Sequence, residues 1–208
     1  MALLLAVAPS HAALISVDVL APGDGLGTLE EESGLVWLDL SETTNLSTDA
    51  VLGGAGGWIP GGWRYASASE VCGLFERNLA VPSPCPEPVG ILFFEPLLDE
   101  VDQFLDLFGL TNELFGEYTA GYFPTPGPSG KTVGLALVGD RVTAQRYVPE
   151  SNDLGIFAVS VRQRFSDEAQ RDFGHFLVRA VPEPSTALLL AAGLGVLALR
   201  KLRGRAGA

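Results

Sequence analysis

The chain is poor in the side chains on which most catalysis depends. Its 208 residues hold two histidines, His11 and His175, and two cysteines, Cys72 and Cys85. No Gly-x-Ser-x-Gly elbow, His-Glu-x-x-His helix, phosphate-cradling glycine loop or dinucleotide fingerprint occurs, which removes the short signatures of serine hydrolases, zinc proteases, nucleotide hydrolases and nicotinamide enzymes. With no second His or Cys at ligand spacing, zinc and a Cys-His nucleophile pair are not expected. An Asp-x-Asp-x-Asp-Gly calcium loop is missing as well, so no metal site and no cofactor is expected. Positive charge is scarce: thirteen Lys and Arg stand against twenty-five Asp and Glu, for a net charge of −12, and no Lys or Arg precedes Arg64. Nucleic acid is therefore not an expected partner. The expectation is a protein that is not an enzyme. One catalytic reading stays open, a hydrolase built on two carboxylates, because any two of many acids can face each other across a cleft.

Apolar runs are few, and each end of the chain has one. Residues 2–8 are short and greasy, and the small residues Ser10, Ala12 and Ala13 stand where signal peptidase requires them. Residues 1–12 accordingly read as a signal peptide. The missing positive segment means either a weak signal or, the favoured reading, the tail of a longer one whose true start codon lies upstream. Near the other end, residues 186–199 are fourteen consecutive uncharged residues. As a helix they cover about 21 Å of the roughly 30 Å hydrocarbon layer. The span becomes workable as a transmembrane helix over 185–199 if the preceding prolines sit among headgroups and the cations behind it snorkel. Arg200, Lys201, Arg203 and Arg205 hold the C-terminus in the cytoplasm, so residues 13–181 are expected outside. A buried core helix is the alternative reading of such a run.

Val181-Pro182-Glu183-Pro184-Ser185-Thr186, an Ala/Leu/Gly-rich span and a terminal Arg/Lys cluster, in that order, resemble a PEP-CTERM sorting signal. The resemblance covers the last 27 residues, 182–208. It implies recognition by an exosortase, a membrane enzyme of Gram-negative bacteria that make exopolysaccharide, with Pro182, Glu183 and Pro184 as the recognition residues. Read without it, the triplet is a stiff polyproline-like spacer. Both readings hold together.

Between the two ends lie 169 residues, enough for one domain with a proper core. This middle carries nine basic and twenty-four acidic residues, about −15. Such acidity suits solubility outside the cell better than cation binding, since the carboxylates are scattered. In an exported chain, Cys72 and Cys85 are most simply a disulfide, contributing on the order of 3 kcal/mol.

Alternation suggests strands at residues 14–20 and 35–40, separated by the turn Pro22-Gly23-Asp24-Gly25. Ser47 caps a short helix ending at Leu52, which the glycine-rich residues 53–62 terminate. Ser67-Ala68-Ser69-Glu70 forms a capping box, followed by Val71, Leu74, Phe75 and Leu79 on one helical face. A further helix is predicted from Pro96 to Phe108, with Leu97, Val101, Phe104, Leu105 and Phe108 apolar and Asp99, Asp102 and Asp106 wet. After a loop over 123–130 come strands at 132–138, 141–148, 155–162 and 174–181, the first two joined by Gly139-Asp140. The whole reads as α+β: an antiparallel sheet with about two helices.

Gly34-Leu35-Val36-Trp37-Leu38-Asp39, Gly62-Trp63-Arg64-Tyr65-Ala66-Ser67 with Glu70-Val71, and Phe176-Leu177-Val178-Arg179 resemble the skeleton of the Lcl-type C-terminal domain. That resemblance spans most of residues 30–181 through about twenty positions and implies a C-type-lectin-like fold. Tyr65-Ala66-Ser67 departs from the family's turn, so no ligand residues are carried over. Taken by themselves, Trp37 and Trp63 read as core anchors, and Arg64 as a partner for Asp39 or an aromatic ring. His175 reads as a satisfied strand histidine. The functional alternative is a sugar platform of Trp58, Trp63 and Tyr65, with Trp58 the exposed member. The leading expectation is an exported surface or matrix protein with a structural or adhesive role in an exopolysaccharide layer. The alternative is a carbohydrate- or calcium-binding lectin-like module.

Overall fold

Serine side chains fix where the first two helices begin. In the computed structural model, which describes residues 13–79, 91–94, 98–112, 117–124, 132–139, 155–165, 169 and 171–181, Ser47 accepts a hydrogen bond from the Ala50 amide and opens α1, Thr48–Leu52. Ser67 accepts from the Glu70 amide at 3.2 Å while the Glu70 carboxylate accepts from the Ser67 amide at 2.8 Å. This reciprocal box starts α2, Ala68–Asn78. Val71, Leu74, Phe75 and Leu79 are all buried, as their spacing predicts. The next helix, α3, is Leu98–Phe108. It ends at Gly109, whose φ of 71° is the left-handed conformation that closes a helix. Val101, Phe104, Leu105 and Phe108 are buried, and Asp99, Asp102 and Asp106 are exposed. Pro96 and Leu97 lie outside the described residues.

Among the described residues ten strands accompany them: β1 Leu14–Val17, β2 Gly27–Glu30, β3 Leu35–Leu38, β4 Arg64–Tyr65, β5 Ile91–Phe94, β6 Tyr118–Pro124, β7 Thr132–Gly139, β8 Gly155–Phe165, β9 Gly174–His175 and β10 Leu177–Ala180. The class is α+β, with few helices and mostly antiparallel pairing. The expected single sheet is corrected, however. The described residues form two five-stranded sheets, ordered β1-β2-β3-β10-β4 and β5-β8-β7-β6-β9. All pairs are antiparallel except β6 with β9, which run parallel through Gly121↔Gly174 and Tyr122↔His175.

Three further expectations change for local physical reasons. The strand predicted over 14–20 stops at Val17, because the Asp24 carboxylate draws the amides of Val19, Leu20 and Ala21 into a turn. The strand predicted over 174–181 divides at Phe176. There the amide of Phe176 donates to Tyr122 in one sheet and its carbonyl accepts from Ala66 beside the other. Phe123 and Pro124 belong to β6 rather than to a loop. Residues 141–148 and Asp140 lie outside the described residues, and β7 pairs directly with β8.

Phe176 is also the centre of the main core. Trp37 and Phe75 both meet its ring edge to face, at 6.2 and 6.0 Å, and Phe104 stacks on Phe108 at 4.0 Å. Phe123, Ala136 and Val138 from the second sheet close this cluster. A smaller one, built on Val36, Leu38, Val51, Trp58, Trp63 and Leu177, covers the opposite face of the first sheet. Gly174 has no room for a side chain, since a Cβ there would run into the Leu40 carbonyl. No helix among the described residues is long and apolar enough to cross a membrane, and the helix expected over 185–199 lies outside them.

Candidate functional site

The strand that leads into the C-terminal tail is an interior one. On one side β10 pairs with β3 through Val178↔Trp37, Arg179↔Val36 and Ala180↔Leu35, and on the other with β4 through Leu177↔Tyr65 and Val178↔Arg64. The last described residue is tied down too, because the Val181 amide donates to the Gly34 carbonyl at 3.1 Å. Pro182 therefore follows directly on a hydrogen-bonded residue, with no free linker before it. Pro182, Glu183, Pro184 and the cations Arg200, Lys201, Arg203 and Arg205 lie outside the described residues.

The aromatic residues singled out as a sugar platform are brought together, but not as an open surface. Trp58 and Trp63 meet edge to face at 6.1 Å and are only 6 % and 4 % exposed. The expectation that Trp58 is exposed is corrected. Its glycine-rich surroundings fold over the indole, and a Cβ on Gly56 would sit 2.7 Å from the Trp58 ring. Gly54, Gly56 and Gly57 all take positive φ to make that cover. Glycine here permits close approach of backbone to ring. The Trp58 indole N–H has no hydrogen-bond partner among the described residues. Trp63 is capped by Arg179, whose guanidinium lies 4.7 Å from the ring centre. Arg64, expected to reach Asp39 or a ring, instead forms a two-pronged pair with Glu70 at 2.7 and 2.9 Å. That contact draws the Glu70 carboxyl down to about 2.

Tyr65 is half-buried and serves His175. The Nε2 of His175 lies 3.0 Å from the Leu46 carbonyl, which can only accept, so Nε2 carries the proton and Nδ1 accepts from the Tyr65 hydroxyl at 2.8 Å. Burial holds this imidazole neutral, with its pKa pushed down to about 4, and pushes the Tyr65 phenol up.

Residues 180–206 match the PEP-CTERM protein-sorting motif. The chain carries a PEP-CTERM sorting motif. No curated protein and no solved structure matches it. The PEP-CTERM motif begins inside β10, at Ala180, and so overlaps the folded domain by two residues. It supports an exported protein that is anchored in the membrane before processing and recognised by an exosortase-type enzyme.

Sequence reasoning missed one carboxylate, Glu30, and gave another, Asp39, a partner it does not have. Glu30 has a fully buried side chain and accepts from Arg77 Nε at 2.7 Å, Ser33 Oγ at 2.6 Å, Asn78 Nδ2 at 3.1 Å and Trp37 Nε1 at 3.3 Å. Its principal partner is 47 residues away, and in Glu30-Glu31-Glu32 nothing local marks the first acid as the inward one. Asp39 lies beside Gly109 at the end of α3, and its Oδ1 is buried without a partner among the described residues. Burial, then the charges of Glu42 and Asp24, raise its pKa to about 7. Among the described residues no group of His, Cys, Asp and Glu is placed to hold a metal ion. Cys72 is half-buried on α2; Cys85 lies outside the described residues.

Proposed function

We propose that this protein is an exosortase-sorted surface or extracellular-matrix protein whose domain, residues 13–181, plays a structural or adhesive part in an exopolysaccharide layer. The observation that carries this reading is the PEP-CTERM motif over 180–206, which begins at the last residue of the closing strand. In this reading residues 1–12 are a signal segment, residues 185–199 cross the inner membrane before processing, and Arg200, Lys201, Arg203 and Arg205 remain in the cytoplasm. The Cys72–Cys85 bridge belongs to the same reading. It is supported by the absence of a free cysteine among the described residues and by the oxidising compartment that export implies.

A non-catalytic domain is part of the proposal. It is supported by the way the groups that chemistry would use are consumed in architecture: His175 by Tyr65 and Leu46, Glu30 by Arg77 and Asn78. A Lcl-type, C-type-lectin-like skeleton is part of the same proposal, supported by the pairing of β3 with β10 and by the placement of Gly62 to Ser67 ahead of α2. Cell fractionation of the native host, with and without its sorting enzyme, tests the reading. Protein at the cell surface or in the matrix, lost from there when the enzyme is removed, supports it. Protein in the cytoplasm in both strains ends it.

A further inference from the structure

The first sheet brings the two membrane-directed ends of the domain to one pole. The Glu31 amide donates to the Ala13 carbonyl at 3.2 Å, where the expected signal segment joins the domain, and Val181 donates to Gly34, where the sorting motif leaves it. Both contacts belong to the same turn, residues 31–34 between β2 and β3. Antiparallel register places the turn of residues 18–26 at the opposite end of these strands, since Leu14 pairs with Glu30 but Val17 with Gly27. That far turn is braced by Asp24, which accepts from the amides of Val19, Leu20, Ala21 and Leu26. It holds Leu20 at the tip, 71 % exposed.

The tether is short. From Val181 to Thr186, the first residue of the apolar run, five residue steps reach at most about 17 Å however they are arranged. A headgroup layer takes up about 6 Å of that, which leaves the 31–34 turn within roughly 11 Å of the headgroups. The far turn is about one strand length further, on the order of 13 Å for four residues. Lying flat is opposed by charge, because it brings more of a domain of about −15 within a Debye length of roughly 8 Å of an anionic bilayer than resting on the pole, with Glu31 and Glu32, does. Resting on the membrane-anchoring part of the proposed function, we infer that the pole formed by Ala13, residues 31–34 and Val181 faces the headgroup layer while the tail is in the bilayer. The Asp24-braced turn, with Leu20, faces away from the membrane.

Fluorescence quenching in vesicles tests this orientation. The full chain is reconstituted into phosphatidylethanolamine and phosphatidylglycerol vesicles with a fluorescent non-natural amino acid replacing either Glu32 or Leu20, both exposed. The quencher is a spin label on the lipid headgroup. The probe at position 32 is expected to lose most of its intensity, and the probe at position 20 to keep the intensity it has without spin label. Inserting a Gly/Ser linker of about twenty residues, with a mean span of roughly 25 Å, between Val181 and Pro182 is expected to abolish the difference. Equal quenching at the two positions in the uninterrupted chain, stronger quenching at position 20, or a difference that the linker leaves unchanged would overturn the orientation. Flotation reports the anchor separately: a folded chain that does not float with vesicles overturns the anchoring reading and the orientation with it.

Discussion

At the scale of single residues, the domain spends its rare polar interior on fixed pairings. Glu30 is the clearest case, since one buried carboxylate binds β2 to α2 through Arg77 and Asn78 and holds the Trp37 indole. Removing one partner of such a group strands the others. Glu30→Ala is therefore expected to cost about 3 kcal/mol, read as a lower urea midpoint, with Glu30→Gln losing less because the amide keeps part of the network. Asp39 has the opposite sign. Its pKa is raised, so the folded state holds the proton more tightly than the unfolded chain, and stability falls as pH rises from about 4 through about 7. Asp39→Asn should leave thermal stability unchanged near pH 4 and raise it at pH 8, by about 1 kcal/mol after allowance for solvent screening. Lower stability of the variant at pH 8 would contradict the assignment. His175 limits the acid side: its pKa is depressed, so its contribution is complete above about 6.5 and is lost as pH falls towards about 4.

At the scale of elements, local chemistry was legible and long-range geometry was not. The Ser67–Glu70 box could be read directly because both partners lie within four residues, and the helix it opens has the predicted buried face. Ser67→Ala is expected to lower stability by about 1 kcal/mol, measured by denaturation, and Ser67→Asp to retain most of it. The α3 stripe was equally plain, from its spacing and from Gly109. By contrast, β2 escaped notice because Gly-Thr-Leu-Glu turns a carboxylate inward, and only Arg77 in a distant helix makes that tolerable. The break at Phe176 has no turn residue to announce it. It comes from the two sheets competing for one chain, with the Phe176 ring filling the space between Trp37 and Phe75. Trp58 was misjudged because a glycine-rich context is compatible both with an exposed ring and with backbone laid over a buried one.

At the scale of the whole molecule, the sorting motif was legible from sequence, because a sorting address is a linear pattern that needs no tertiary partner. What the fold adds is the manner of attachment. The motif issues from a strand paired on both sides, so its first two residues, Ala180 and Val181, cannot leave the domain without breaking hydrogen bonds to β3 and to Gly34. Intact mass of the mature protein from its native host tests the central claim, export followed by processing of the tail, most directly. The account predicts a species that lacks the leading residues and whose C-terminus lies before the basic cluster, two mass units lighter than its fully reduced form for the Cys72–Cys85 bridge. An unprocessed mass that runs through Ala208, found in a host with an active sorting enzyme, would contradict it.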